Sequence, residues 1–148
     1  IPPQRANRIV DSADLTGDGD WCPVQQNTFE SALVPGIHVL GDASAAGAMP
    51  KSGFSANSQA KVCAYAIAAL QTGVAPPSPS FINTCYSLLS ADYGISVAAV
   101  YEVNDEGGIV SIKGAGGVSP TGASAEYRRL EADYAKGWYA SITSDMFG

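Results

Sequence analysis

Pro76, Pro77 and Pro79 fall within four residues, and Gly73 stands just ahead of them. Proline fixes φ and removes an amide donor, so neither a helix nor a central strand can run through this stretch. The chain must therefore be built as two different parts. Upstream, Val62, Ala66 and Leu70, with Cys63 and Ile67 beside them, recur at helical spacing from Phe54 onward, and Gly73 is placed to end that helix. Downstream, residues 81–89, 95–103 and 109–112 are β-rich, and Asn104-Asp105-Glu106-Gly107-Gly108 supplies a turn, so an antiparallel hairpin of the second and third segments is expected. From Ala123 onward Tyr127, Leu130, Tyr134, Trp138 and Ile142 share one helical face. Arg128, Arg129, Glu131, Asp133 and Lys136 are expected on a solvated face of mixed charge, which suits a packing helix rather than a membrane anchor.

Composition narrows the function. With 148 residues, 46% of them hydrophobic, and a mean hydropathy near zero, the chain can bury a globular core. No apolar run approaches the ~18 to 20 residues that span a bilayer, so no membrane span is expected. The net charge of −6 argues against a nucleic-acid partner, which would need a basic face. Three cysteines and one histidine, with no C-x-x-C pair, leave no zinc or iron-sulfur ligand set, and no metal is expected. Cys22 precedes a proline in a turn, Cys63 lies on the apolar side of the expected helix, and Cys85 sits in a β-rich segment.

The run Gly36-Ile37-His38-Val39-Leu40-Gly41-Asp42-Ala43 reads as a short buried strand that stops at Gly-Asp and passes through a small-residue loop to a helix opening near Pro50 and Ser52. That geometry holds polar cofactors at a strand's carboxyl end. Gly41 would let a ligand approach the backbone, and Asp42 offers an acceptor for ribityl or ribose hydroxyls. The first helical turn at Ser52 and Gly53, with Lys51, could stabilise negative charge on the pyrimidine side of a reduced isoalloxazine. An ordinary strand, loop and helix with a packing glycine satisfies the same pattern.

Other motifs are weaker. Asp14-Leu15-Thr16-Gly17-Asp18-Gly19-Asp20 imitates a calcium loop, but Gln25 occupies the twelfth position where a bidentate glutamate is needed, so a polar connecting loop is expected. Gly114-Ala115-Gly116-Gly117-Val118-Ser119 lacks the final glycine of a dinucleotide fingerprint and is followed by Pro120, so it reads as a flexible loop. His38 is expected to pack with its nitrogens satisfied locally.

Residues 36–59 resemble the second FAD-contacting segment of the flavoproteins related to disulfide reductases, and in detail the flavin subunits of the flavocytochrome c sulfide dehydrogenase family. The supporting words are Ile1-Pro2-Pro3-Gln4, Trp21-Cys22-Pro23-Val24, Thr28-Phe29-Glu30-Ser31, Pro50-Lys51-Ser52-Gly53-Phe54-Ser55-Ala56-Asn57 and Asn83-Thr84-Cys85-Tyr86, ordered along nearly the whole chain. The resemblance implies an α/β to α+β fold: the distal strand-helix segment of a Rossmann-like FAD/NAD(P)-binding domain, then a C-terminal domain with a three-stranded antiparallel sheet and a terminal helix. It divides the chain into 1–20, the tail of a middle NADH-domain-like module, loop-rich apart from a β-like Ile9-Val10; 21–75, the FAD segment; 76–80, the linker; and 81–148, the C-terminal domain.

The same resemblance implies FAD as cofactor, held through Gly41, Asp42, Lys51, Ser52 and Gly53, and haem on a partner cytochrome c subunit. It makes Cys85 one half of a redox-active disulfide whose partner sulfur lies upstream, with Trp138 near it. Hydrosulfide would attack one sulfur, and two electrons would reach FAD and then haem singly. The Gly-rich unit that binds the FAD pyrophosphate in the family is absent, so the chain is expected to be a C-terminal fragment, inactive without the N-terminal half. A periplasmic location is implied in the same way. A sulfide:quinone oxidoreductase shares the flavin segment and paired sulfurs but carries a hydrophobic C-terminal foot. A non-catalytic cytochrome-docking module is the alternative outside enzymes.

Overall fold

The computed structural model describes residues 4–148, so Ile1, Pro2 and Pro3 of the opening motif lie outside the described residues. The fold is α+β. A short helix α1 (Arg8–Ser12) and a one-turn 3-10 helix (Gly41–Ala43) precede helix α2 (Gly53–Gln71). Strands β1 (Ser80–Ser90), β2 (Tyr93–Val103) and β3 (Ile109–Val118) form an antiparallel sheet in the order β1-β2-β3, and helix α3 (Ala125–Phe147) closes the chain. Among the described residues no helix is long and apolar enough to cross a membrane.

Local chemistry accounts for most boundaries. Ser52 caps α2 by accepting from the Ser55 amide, and Ser124 caps α3 by accepting from the Tyr127 amide. Between β2 and β3, Asn104 Oδ1 accepts from the amides of Glu106 at 3.1 Å and Gly108 at 2.8 Å, while Gly107 takes the left-handed conformation at φ +81°.

Three expectations are corrected. Ile9 and Val10 lie in α1 rather than in extended chain, because Asn7 caps that turn by accepting from the Ile9 amide at 3.2 Å. The Gly114–Val118 stretch is not a flexible loop but the second half of β3. Its glycines lack the side chains that mark a strand in sequence, and Gly116 lies so close to β2 that a Cβ there would strike the Ala98 carbonyl. Residues 37–40 do not form a strand: Glu30 and His38 make a single antiparallel bridge, flanked by Ser31 N donating to Ile37 O and Val39 N donating to Phe29 O. Left-handed residues bound the pairing, Gly36 at φ +79° and Phe29 at φ +60°, so the ladder cannot lengthen.

The chain divides into two compact units. One takes in the described residues up to Asn83 together with Val100–Ile112, and its core is the larger. Phe29 and Phe81 are fully buried and meet edge to face, centroids 5.8 Å apart at 89°, amid Cys22, Val24, Val39, Met49, Cys63, Tyr101 and Ile109. The left-handed conformation of a residue as bulky as Phe29 persists because that burial over-determines it. Gln26 fastens β3 to the loop before α2, with Oε1 accepting from Ile109 N at 2.6 Å and Nε2 donating to Ala45 O at 3.0 Å. Gly47 is obligatory beside it, at φ +56° with Ile109 O only 2.5 Å from where a Cβ would stand.

The other unit comprises Thr84–Ala99 and Lys113–Gly148. Here α3 lies on β2 at Gly94, where an added Cβ would stand 2.5 Å from Ala132 N. That contact decides which side of α3 is inward: Arg128, Glu131, Ala132, Ala135 and Ile142 are buried. The expected apolar face is therefore split. Ile142 packs, but Tyr127, Leu130 and Tyr134 are exposed along an open cavity of about 340 Å³ that also touches Tyr86 and Ala98. Arg128 and Glu131 leave the solvated face for an internal ion pair.

Candidate functional site

The residues expected to hold a cofactor converge at the junction of the 3-10 turn with α2, inside the first unit. Gly41 adopts φ +68° and donates its amide to Gln59 Oε1 at 2.7 Å, while a Cβ there would stand 3.3 Å from Ala56 Cβ. Its glycine character thus serves both the turn and the approach of that turn to α2. Asp42 follows in the first turn with an exposed carboxylate.

Lys51 is committed to its own chain. Its Nζ donates to Asp42 O at 2.7 Å and Ser44 O at 2.9 Å and stands 3.7 Å from the centroid of the Trp21 ring. Desolvation lowers its pKa, against the opposing pull of Asp42 and Cys22. The ammonium therefore closes the loop between the 3-10 turn and α2. An open cavity of about 400 Å³ lies beside it, lined by Trp21, Gln26, Ser44, Gly47, Met49 and Lys51.

Ser52 Oγ accepts from Ser55 N at 3.1 Å and donates to Asn83 Oδ1 at 2.6 Å. Gly53 begins α2 with open space where a Cβ would stand, no atom lying within 4 Å. The donor and acceptor set fits a flavin: an exposed carboxylate for polyol hydroxyls, and an uncrowded helix start for an electron-rich ring edge. The sequence reading missed Gln59 and Asn83, which hold this junction. Both are polar residues buried to within 3%; a glutamine on the apolar side of a helix was the signal for Gln59, and Asn83 stood in sequence only as part of the Asn83-Thr84-Cys85-Tyr86 word.

Cys85 lies in the second unit, exposed on β1. Tyr86 projects to the opposite face of the strand and packs against Trp138, ring centroids 6.1 Å apart and tilted by 36°. Cys22 and Cys63 are buried in the first unit. Desolvation raises both thiols' pKa, and Asp11 adds to the effect at Cys22. His38 Nδ1 meets Thr28 O at 3.0 Å, in keeping with a packing role. In the Asp14–Asp20 loop, Asp14 and Gly17 take left-handed turns, and Thr16 donates to Asp11 at 2.8 Å. Among the described residues no group of three or more histidine, cysteine or acidic side chains is arranged to hold a metal ion.

Residues 77–147 match the family model described as flavocytochrome c sulphide dehydrogenase, flavin-binding.

Proposed function

We propose, from the match of residues 77–147 to the flavin-binding family of the flavocytochrome c sulfide dehydrogenases, that this chain is part of an enzyme that oxidises sulfide through a redox-active disulfide and FAD and passes the electrons to a cytochrome c. The observation that carries the reading is Cys85, which lies inside the matched segment and is exposed on β1.

Each residue then has a definite task. Asp42 would accept hydrogen bonds from the ribityl chain, and the backbone at Ser52 and Gly53 would hold the pyrimidine side of the ring. Lys51 contributes by fixing the loop that carries Asp42. When bound, FAD supplies a two-electron acceptor that can release electrons one at a time to haem on a partner subunit. Cys85 supplies one sulfur of the disulfide: attack by hydrosulfide breaks that S–S bond, forms a new one to the incoming sulfur, and releases the other cysteine as a thiolate. The reading includes a periplasmic setting and an N-terminal half of the flavoprotein to complete the FAD site.

The test is the absorption spectrum of the protein carrying FAD, before and after anaerobic addition of sulfide. The visible flavin bands should bleach in the wild type and persist in Cys85→Ser. Equal bleaching in both proteins would remove Cys85 from the chemistry.

A further inference from the structure

Asn83 is 3% exposed and gathers the start of α2 on one atom. Its Oδ1 accepts from Ser52 Oγ at 2.6 Å and from Ser55 Oγ at 3.1 Å, and Ser55 is itself only 1% exposed. A serine hydroxyl has a single proton to give. Both protons are directed to Asn83, and Ser52 Oγ uses acceptor capacity on the Ser55 amide. Asn83 lies within the matched segment and Ser52 ahead of it, yet both belong to the same compact unit.

We propose that Asn83 is a positioning residue for the flavin: by taking both serine protons it fixes the first turn of α2, so that the open helix start at Gly53 faces the ring. This inference rests on the flavin reading above. A hydroxyl free to rotate would reorient as charge developed on a ligand, whereas a cap locked from behind holds the helix start in place in advance. The choice of side chain points the same way. Helix stability alone favours aspartate near an N-terminus, because a carboxylate complements the dipole. Asparagine keeps the accepting oxygen while adding no negative charge beside a cofactor that gains negative charge on reduction.

Asn83→Asp in the FAD-loaded protein separates this role from a structural one. Aspartate can accept from both serines, so amide hydrogen exchange at Ser55 and Ala56 should stay as slow as in the wild type, while the flavin midpoint potential shifts to more negative values. An unchanged potential with the cap intact overturns the inference. Asn83→Ala should release the cap, with Ser55 exchanging about fivefold faster and FAD binding weakened by a similar factor. Should the aspartate variant not fold, Ser52→Gly cuts the same link while keeping a tolerated cap residue. FAD affinity should again fall about fivefold, and an unchanged affinity overturns the inference. A wild-type flavoprotein that includes the N-terminal half and still takes up no FAD overturns the flavin reading itself, and the role of Asn83 with it. Normal uptake with an indifferent Asn83→Asp overturns only the latter.

Discussion

Arg128 Nη1 donates to Glu131 Oε2 across 3.1 Å, one turn further along α3, and both side chains are buried. Ser96 at 2.9 Å and Ser119 donate to Glu131 Oε1, and Arg128 Nη2 donates to the Pro120 carbonyl. The Arg128 guanidinium also lies 5.3 Å from the Tyr93 ring centroid, and its Nε is buried without a hydrogen-bond partner. One ion pair therefore ties α3 to β2 and to the segment that follows β3.

Removing one partner should cost more than removing both. Glu131→Ala leaves a buried guanidinium without its counter-charge and should lower stability by about 3 kcal/mol. Joint replacement by Arg128→Met and Glu131→Leu should cost less than the single change. Urea titrations of the two variants and the wild type check this, and a double variant no better than the single one would show that packing rather than charge dominates.

The same carboxylate sets an acid limit. Burial alone would raise the pKa of Glu131, but the hydrogen bonds from Ser119, Ser96 and Arg128, with the Arg128 charge, outweigh it and hold the group below the usual carboxylate range. Its contribution to stability is thus complete above the unfolded value of about 4.3 and is lost as pH falls through the lower folded value. Thermal melts recorded from neutral pH downward should show a fall near and below pH 4 that is shallower in Glu131→Gln.

Lys51 should behave as a structural fastening. Lys51→Met removes charged hydrogen bonds to Asp42 O and Ser44 O and the cation over Trp21, and should lower stability by about 1 kcal/mol after allowance for its exposure. The melting temperature of the cofactor-free protein reads this directly. No change there, together with weakened FAD binding, would assign the ammonium to the ligand instead.

Thiol labelling should single out one cysteine. In the reduced native protein iodoacetamide should reach the exposed Cys85 at least about tenfold faster than the buried Cys22 and Cys63, whose raised pKa also lowers their thiolate fraction. Mass spectrometry of timed digests checks the order, and comparable rates would mean that the first unit opens readily.

The readable parts of the fold were those with local causes. α2 begins with a serine cap and ends ahead of Gly73, and the Asn104 turn carries its own hydrogen bonds, so sequence spacing alone located them. The second half of β3 was hidden because its glycines acquire strand character only from pairing with β2. The inward side of α3 was misread for a related reason: Gly94, on another element, determines that Glu131 rather than Tyr134 faces the sheet. At the candidate site, Gly41, Asp42, Lys51, Ser52 and Gly53 were legible as one neighbourhood. The commitment of Lys51 to backbone carbonyls was not, and neither were the supports from Gln59 and Asn83, since each depends on a partner distant in sequence.

Gly94 also sets a dimension. Where Ala132 meets it, the separation of helix from strand is governed by backbone atoms, with no side chain able to act as a spacer. The remaining positions of α3 inherit that spacing as a fixed origin, so residues such as Tyr127 and Tyr134 can vary in bulk at the rim without moving the helix axis. Alanine at position 94 would instead displace the axis itself, shifting every contact along α3 together.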